Sequence, residues 1–147
     1  MGHKQPRILL IDDNRHGMIA RRDLLESKGF EVKTAVSGAS GLRAFDDEGE
    51  FDVVVTDYKM PTMGGREVLQ AIRNRRPEVP VVILSGCIEQ LGLKEELSQI
   101  ADAVLFKGPG ELDDLLRTVS KLVKLGATSA RQSSDSKSNG ASRRRKA

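Results

Sequence analysis

The chain has 147 residues, the length of one compact domain, and its 24 basic and 21 acidic residues give a formal net charge of +3. Its single cysteine, Cys87, excludes an intramolecular disulfide and a zinc site built from several cysteines. No apolar run approaches the roughly 20 residues that span a bilayer, and residues 1–6 contain no apolar signal-peptide region. We therefore expect a soluble, cytoplasmic protein.

The excess of positive charge lies near the end of the sequence. Residues 126–147 contain six basic residues and one acid, whereas residues 1–125 carry a small net negative charge. Because segment 126–147 is rich in Ser, Ala and Gly and has no apolar periodicity, we predict that it is disordered, as is the short segment 1–6. Its basic cluster, residues 143–146, could contact nucleic acid weakly through charge alone. No aromatic residues interleave with these charges, so a solubilising end is the favoured interpretation.

Five short apolar runs have the length and composition of β-strands. The third run is continuous and β-branched, which is typical of a central strand covered on both faces. The second run alternates apolar and charged residues and predicts a strand with one face less buried. In chain order, the predicted strands are residues 7–11, 30–34, 51–56, 79–84 and 103–106.

Segments with helical spacing separate these runs. Gly29 follows the first segment at a C-cap position, Ser37 can cap the second, and Pro77 ends the third. The last segment has the clearest amphipathic pattern and ends at Gly126. The predicted helices are residues 15–28, 37–47, 68–76, 88–99 and 112–125. This alternation predicts an α/β doubly wound fold, with a five-stranded, mostly parallel sheet and five helices.

Polar side chains follow four of the predicted strands. Asp12 and Asp13 follow the first strand, Asp57 the third, Ser85 the fourth and Lys107 the fifth. In doubly wound folds the functional crevice lies at the carboxyl ends of the strands, so these groups are predicted to share one rim. Clustered carboxylates repel each other unless a cation offsets their charge, and hard oxygen ligands favour Mg²⁺. An aspartate oxygen could then attack a phosphoryl group held by the cation and an ammonium.

Each of these residues also has a simpler explanation. A strand-ending aspartate often caps the next helix, a serine often lies in a turn, and a lysine is usually a solvated charge. The combination is more informative, since four separate strands deliver compatible chemistry to one edge of the sheet.

Three segments of the sequence resemble the receiver domain of bacterial response regulators. They are RILLIDDN, DVVVTDYKMPTMGG, and VVILSG followed by a fifth strand that ends in lysine. The resemblance covers about residues 7–125 and implies a five-stranded flavodoxin-like fold similar to that of the chemotaxis response regulator. It also implies a two-component phosphorelay in which a sensor histidine kinase or phosphotransfer protein is the phosphoryl donor.

The resemblance implies a role for each matching acidic position. Asp57 corresponds to the phosphoacceptor, which takes the phosphoryl group from a phosphohistidine and becomes an aspartyl phosphate. Asp12 and Asp13 correspond to the acidic pair that holds Mg²⁺, together with Asp57, and Asp13 is expected to be the closer ligand of the pair. Lys59 would offer its backbone carbonyl to the metal.

The resemblance also implies that Ser85 and Lys107 bind the incoming phosphoryl oxygens. Phosphorylation is then expected to repack the face formed by the fourth helix, the fifth strand and the fifth helix. Two departures from the family pattern concern this part of the chain. Residues 108–109 are Gly-Pro where the family has proline directly after the lysine, and Val104 stands where the family often has an aromatic switch residue. Phe106 shares the strand parity of Val104, but we expect it to be an ordinary core residue.

The positions that tune dephosphorylation are also unusual. Lys59 lies two residues after Asp57, and Cys87 lies two residues after Ser85. Neither side chain is a carboxylate or amide that would orient an attacking water molecule. We therefore expect slow self-dephosphorylation, and we interpret Cys87 as an inert small side chain rather than a redox sensor.

Two alternatives to a phosphorylated single-domain regulator stay open. The first is a receiver-fold interaction module that signals without phosphorylation, which the two departures from the family pattern suggest. The second is a phosphatase with an aspartyl nucleophile, although such enzymes carry Asp-x-Asp after the first strand rather than adjacent aspartates. Since no output domain is recognisable after the fifth helix, we expect a regulatory protein, rather than an enzyme, that signals by docking to a downstream protein.

Overall fold

The computed structural model of the protein describes residues 4–86 and 92–127. In these residues, five parallel strands form one sheet that is covered by helices on both faces. Neighbouring strands all pair in parallel, in the spatial order β2-β1-β3-β4-β5. The strands are β1 (Arg7–Ile11), β2 (Glu31–Ala35), β3 (Val53–Asp57), β4 (Val81–Ser85) and β5 (Ala103–Phe106). This is the flavodoxin-like arrangement, and it confirms the predicted fold class.

Five helices connect and cover the strands. Their bounds are α1 (Arg15–Ser27), α2 (Gly38–Glu48), α3 (Gly65–Arg75), α4 (Leu93–Ile100) and α5, residues 111–127. The Ser37 cap is confirmed, since the Ser37 hydroxyl oxygen accepts the N–H of Ser40 at 3.1 Å. Gly29, which follows the C-cap residue Lys28 of α1, adopts a φ of +94°, as a helix-ending glycine does. Gly126, by contrast, does not have a positive φ, and α5 continues through it, so the prediction that Gly126 ends this helix is wrong.

Parts of the predicted organisation fall outside the described residues. One of them is segment 87–91, which includes Cys87 and the predicted start of the fourth helix. The described part of this helix begins at Leu93. Residues 1–3 and 128–147 are also outside, so the predicted disorder of the two ends and the domain division at residues 7 and 125 stay predictions.

The sheet has a hydrophobic core on each face, because successive residues of a strand point to opposite sides. Leu9 and Ile11 of β1 pack on the face covered by α2, α3 and α4. Ile8 and Leu10 pack on the face covered by α1 and α5. The central strands β1, β3 and β4 are therefore buried on both faces, which fixes their register and the position of their carboxyl ends.

The two edge strands are less covered. β2 alternates exposed and partly buried residues, and its charged residues are ion-paired: Glu31 with Arg7 at 2.8 Å and Lys33 with Glu48 at 3.1 Å. At the other edge, Phe106 is 44% exposed, so the expectation that it is a core residue is wrong. The reason is its position, since Phe106 is the last residue of an edge strand that is only partly covered along its length.

Thr62, in the loop between β3 and α3, has a φ of +70°, in the left-handed region that β-branched residues avoid. Asparagine tolerates this region much better, so we expect Thr62→Asn to raise the free energy of unfolding by about 1 kcal/mol. Chemical denaturation at neutral pH measures the effect. The control is Thr34→Asn within β2, where the loss of a β-branched residue should lower stability slightly. Equal or lower stability of Thr62→Asn would contradict the expected strain.

Candidate functional site

Three aspartates come together at the carboxyl ends of the neighbouring strands β1 and β3. Asp12 follows β1 directly and Asp57 is the last residue of β3, and these strands are neighbours in which Ile11 is paired with Thr56. The carboxylates of Asp12, Asp13 and Asp57 each offer an oxygen within 4.8 Å of the others. The predicted acidic cluster is therefore present, and it follows from the strand register.

The three carboxylates differ in their access to solvent. Asp12 is 0% exposed and Asp57 is 6% exposed, whereas Asp13 is exposed. The cluster thus has a buried side and an open side. Three convergent carboxylates, one of them facing solvent, fit a hard divalent cation that keeps several water ligands, which is the coordination that Mg²⁺ prefers.

Lys107 reaches into this cluster from the end of β5. Its Nζ lies 3.0 Å from Asp57 Oδ1 and 3.7 Å from Asp12 Oδ2. Its backbone N–H donates to the carbonyl of Ser85 at 3.0 Å, which extends the pairing of β4 and β5 by one residue. The glycine inserted after Lys107 therefore does not displace its side chain from the position that the sequence predicts.

Of the two other predicted site residues, Ser85 is buried and Lys59 is exposed. Ser85 is the last residue of β4 and is 2% exposed, one residue beyond Leu84, which is the register partner of Asp57. Lys59 lies in the loop after β3 with an exposed side chain. Val104, at the position of the missing aromatic residue, packs against the core on the α2–α4 face.

The electrostatics of the cluster act most strongly on Asp57. Burial raises the pKa of its carboxyl group above the ordinary aspartate value. The hydrogen bond and positive charge of Lys107 lower that pKa, while the negative charges of Asp12 and Asp13 raise it. The net shift is upward, so ionised Asp57 is less stable here than in water. A divalent cation would relieve this repulsion.

Sequence reasoning missed Arg21, a buried cation at the same site. Arg21 lies on α1, is 6% exposed, and donates from Nη1 to Asp12 Oδ2 at 2.6 Å. Its Nε and Nη2 donate to the carboxylate of Glu111, the first residue of α5. A signal was available, because Arg21 falls between Met18 and Leu25 on the stripe of α1 that is buried against the sheet.

Gly65 was also missed, although it lies in one of the quoted motifs. It begins α3, and its N–H donates to the carbonyl of Tyr58 at 2.7 Å. A Cβ atom at this position would lie 2.5 Å from the carbonyl oxygen of Asp57. Only glycine lets α3 start this close to the end of β3, so Gly65 helps to fix the backbone that carries Asp57.

Two curated proteins show what this chain is similar to. The transcriptional regulatory protein PrrA of Mycobacterium tuberculosis is 34% identical over 134 residues, which cover 91% of this chain and 57% of PrrA. The chain therefore spans little more than half the length of that relative. The two-component response regulator ORR5 of Oryza sativa subsp. japonica is 30% identical over 121 residues, which cover 81% of this chain and 90% of ORR5.

A solved structure with the same fold contains a divalent cation. It is response regulator protein TrrA from Thermotoga maritima in complex with Mg²⁺ and BeF, with a TM-score of 0.72 and 29% sequence identity. The match covers 80% of this chain and 99% of TrrA. The acidic cluster of the present chain thus fits a Mg²⁺ site, and a related structure holds that ion.

The family model that matches this chain is described as the response regulator receiver domain and covers residues 8–120. Receiver domains are regulatory and are not classical enzymes. Among the residues that the structure describes, no helix combines the length and apolar character needed to cross a membrane. Fold, acidic cluster and family match agree, and the chain belongs to the response regulator receiver domain family.

Proposed function

We propose that the chain is a single-domain response regulator of the cytoplasm, which accepts a phosphoryl group on Asp57 with Mg²⁺ and signals by docking to another protein. The observation that carries this proposal is the contact of Lys107 Nζ with Asp57 Oδ1, 3.0 Å apart beside Asp12 and Asp13. It joins an acceptor carboxylate, an acidic cluster and a cation in one pocket. A receiver domain implies a cognate histidine kinase, which we propose as the donor, directly or through a phosphotransfer protein.

In the proposed reaction, an oxygen of the Asp57 carboxylate attacks the phosphorus atom of the donor phosphohistidine. The new P–O bond forms as the P–N bond breaks, and the histidine nitrogen keeps the electron pair and then takes a proton. Asp12, Asp13, Asp57 and the backbone carbonyl of Lys59 would hold Mg²⁺. When bound, Mg²⁺ supplies positive charge that offsets the carboxylates and the phosphoryl oxygens. The chain itself contributes the alignment of Asp57 at the end of a fully buried strand.

Two side chains are proposed to respond to the phosphoryl group. Lys107 is already placed beside Asp57, and Ser85 ends the adjacent strand. Charge-assisted hydrogen bonds from both would contribute about 1.5–3 kcal/mol each. Together, about 3–6 kcal/mol can shift a two-state equilibrium by roughly hundreds to tens of thousands of fold. We propose that the face of α4, β5 and α5 repacks, and the exposed ring of Phe106, next to Lys107 in sequence, lies at the end of that face.

Asp57→Asn should abolish phosphorylation by acetyl phosphate with Mg²⁺, because an amide oxygen is too weak a nucleophile to form the acyl phosphate. Radiolabelling or intact-protein mass spectrometry measures the product. The control is Asp47→Asn, which removes an exposed carboxylate of α2 and should leave labelling unchanged. Undiminished labelling of Asp57→Asn would show that Asp57 is not the acceptor. Absence of Mg²⁺-dependent beryllofluoride binding to the wild-type chain would instead favour an interaction module that works without phosphorylation.

Self-dephosphorylation should be slow, with a phosphoryl lifetime of minutes or longer at neutral pH. The reason is that the exposed Lys59 side chain is a cation and cannot accept a proton from an attacking water molecule. Lys59→Asn introduces an amide that can orient water, and we expect it to shorten the lifetime. Decay of the phosphorylated chain after removal of the donor measures both lifetimes. A wild-type lifetime of seconds would contradict this expectation.

Asp57→Asn should also stabilise the fold at neutral pH in the absence of Mg²⁺. A carboxyl whose pKa is higher in the folded than in the unfolded chain favours folding only while it is protonated. Its contribution is present below the ordinary aspartate pKa of about 4 and is lost as the pH rises through the folded value. The stability of Asp57→Asn relative to wild type should therefore grow from about pH 4 to pH 7.

Urea denaturation at several pH values tests this sign. Asp47→Asn, whose carboxylate is exposed, should show no comparable trend. A stability difference between Asp57→Asn and wild type that shrinks as the pH rises would show that ionised Asp57 does not oppose folding.

A further inference from the structure

We propose that Arg21 is a resident counter-cation of the acidic cluster, which competes with Mg²⁺ for Asp12 and is linked to the start of α5 through Glu111. The proposal rests on the proposed Mg²⁺ site and adds a residue that the reaction itself does not use. It also connects occupancy of the pocket to a helix of the proposed docking face.

The guanidinium group of Arg21 is shared between two carboxylates. Nη1 donates to Asp12 Oδ2 at 2.6 Å, while Nε and Nη2 donate to the two oxygens of Glu111, the latter at 3.2 Å. All three side chains are largely withdrawn from solvent, with exposures of 7% for Arg21, 0% for Asp12 and 11% for Glu111. The paired donor geometry on Glu111 is the arrangement in which arginine binds a carboxylate most strongly.

Arg21 occupies part of the acceptor capacity that a metal ion would need. Asp12 Oδ1 accepts the N–H of Asn14 at 2.9 Å, and Asp12 Oδ2 accepts from Arg21 with Lys107 Nζ also 3.7 Å away. Both oxygens of Asp12 therefore have partners within the chain. A cation that binds Asp12 must share these oxygens with a fixed positive charge, and like charges in a partly buried site repel strongly.

The same contacts hold both ends of the loop between β5 and α5. Lys107 precedes the loop and contacts Asp57 and Asp12, while Glu111 follows it and contacts Arg21, the partner of Asp12. The segment between them, residues 108–110, contains two glycines, and Gly110 has a φ of +84°. Weaker binding of Arg21 to Asp12 would therefore change the position of Glu111 at the first turn of α5.

The test compares Mg²⁺ binding to the wild-type chain and to Arg21→Gln by isothermal titration calorimetry. Glutamine removes the positive charge beside Asp12, so we expect Mg²⁺ to bind at least about tenfold more tightly. Mg²⁺ should also raise the melting temperature of this variant more than that of the wild type, because binding only the folded state stabilises it. The control is Arg22→Gln, the next residue on α1, whose half-buried side chain pairs with Asp23 and Glu26.

A second measurement uses the wild-type chain, so it tests the proposal even if Arg21→Gln does not fold. In NMR titrations with Mg²⁺, the Arg21 Nε–H and Glu111 amide resonances should shift with the same midpoint as the site itself. Resonances that stay unmoved at saturating Mg²⁺ would overturn the link to α5. Equal or weaker Mg²⁺ binding by Arg21→Gln, with normal wild-type binding, would overturn the competition alone. Absence of saturable binding to both chains would remove the proposed Mg²⁺ site and this inference with it.

Discussion

The repulsion between Asp12 and Asp57 is the constraint on which the rest of the site depends. Both carboxylates are buried at the ends of adjacent strands, and the register of β1 and β3 gives them no freedom to separate. Two buried negative charges at this distance would strongly oppose folding if nothing offset them. The chain meets this cost with Lys107 and Arg21, which approach from β5 and α1. The charge balance of this pocket is therefore set by residues from different elements, since Asp13 and Glu111 also take part.

We propose that this balance links the pocket to other parts of the molecule. Lys107 and Arg21 are side chains of neighbouring structural elements as well as counter-ions, so any new charge at Asp57 alters their partners. The two cores leave the central strands little room to move. In the proposed function, the response would be directed toward the less covered side, where β5 is only partly buried and the glycine-containing loop leads into α5.

Sequence patterns predicted the fold and most of the acidic site for a clear physical reason. Apolar runs define the strands, and the residue after each run must lie at the carboxyl edge of a parallel sheet. That argument placed Asp12 and Asp57 correctly without any knowledge of side-chain contacts. It failed for Arg21 and Glu111, because their pairing joins residues 90 apart in the chain. An arginine in a helix is expected to be solvated, and only the position of Arg21 on the apolar stripe of α1 indicates that it is buried.

Helix ends and edge positions were the other sources of error. Gly126 does not take the left-handed conformation that would end α5, and Phe106 is exposed because it lies at the end of an edge strand. Both errors arise because the conformation and burial of these residues were predicted from residue type alone, whereas their neighbours in space determine them. Local propensity is decisive only where tertiary packing does not override it.

The ion-paired edge strand β2 has a consequence for how this protein meets its partners. An exposed strand can recruit another strand by backbone pairing, and alternating charged side chains along it discourage such sheet extension. Glu31 and Lys33 of β2 are held in ion pairs with Arg7 and Glu48, so a second chain that paired with β2 would meet fixed charged side chains along this edge. A partner of the proposed regulator would then dock away from β2, as it does on the proposed face of α4, β5 and α5, and this edge of the sheet is protected from strand-by-strand aggregation.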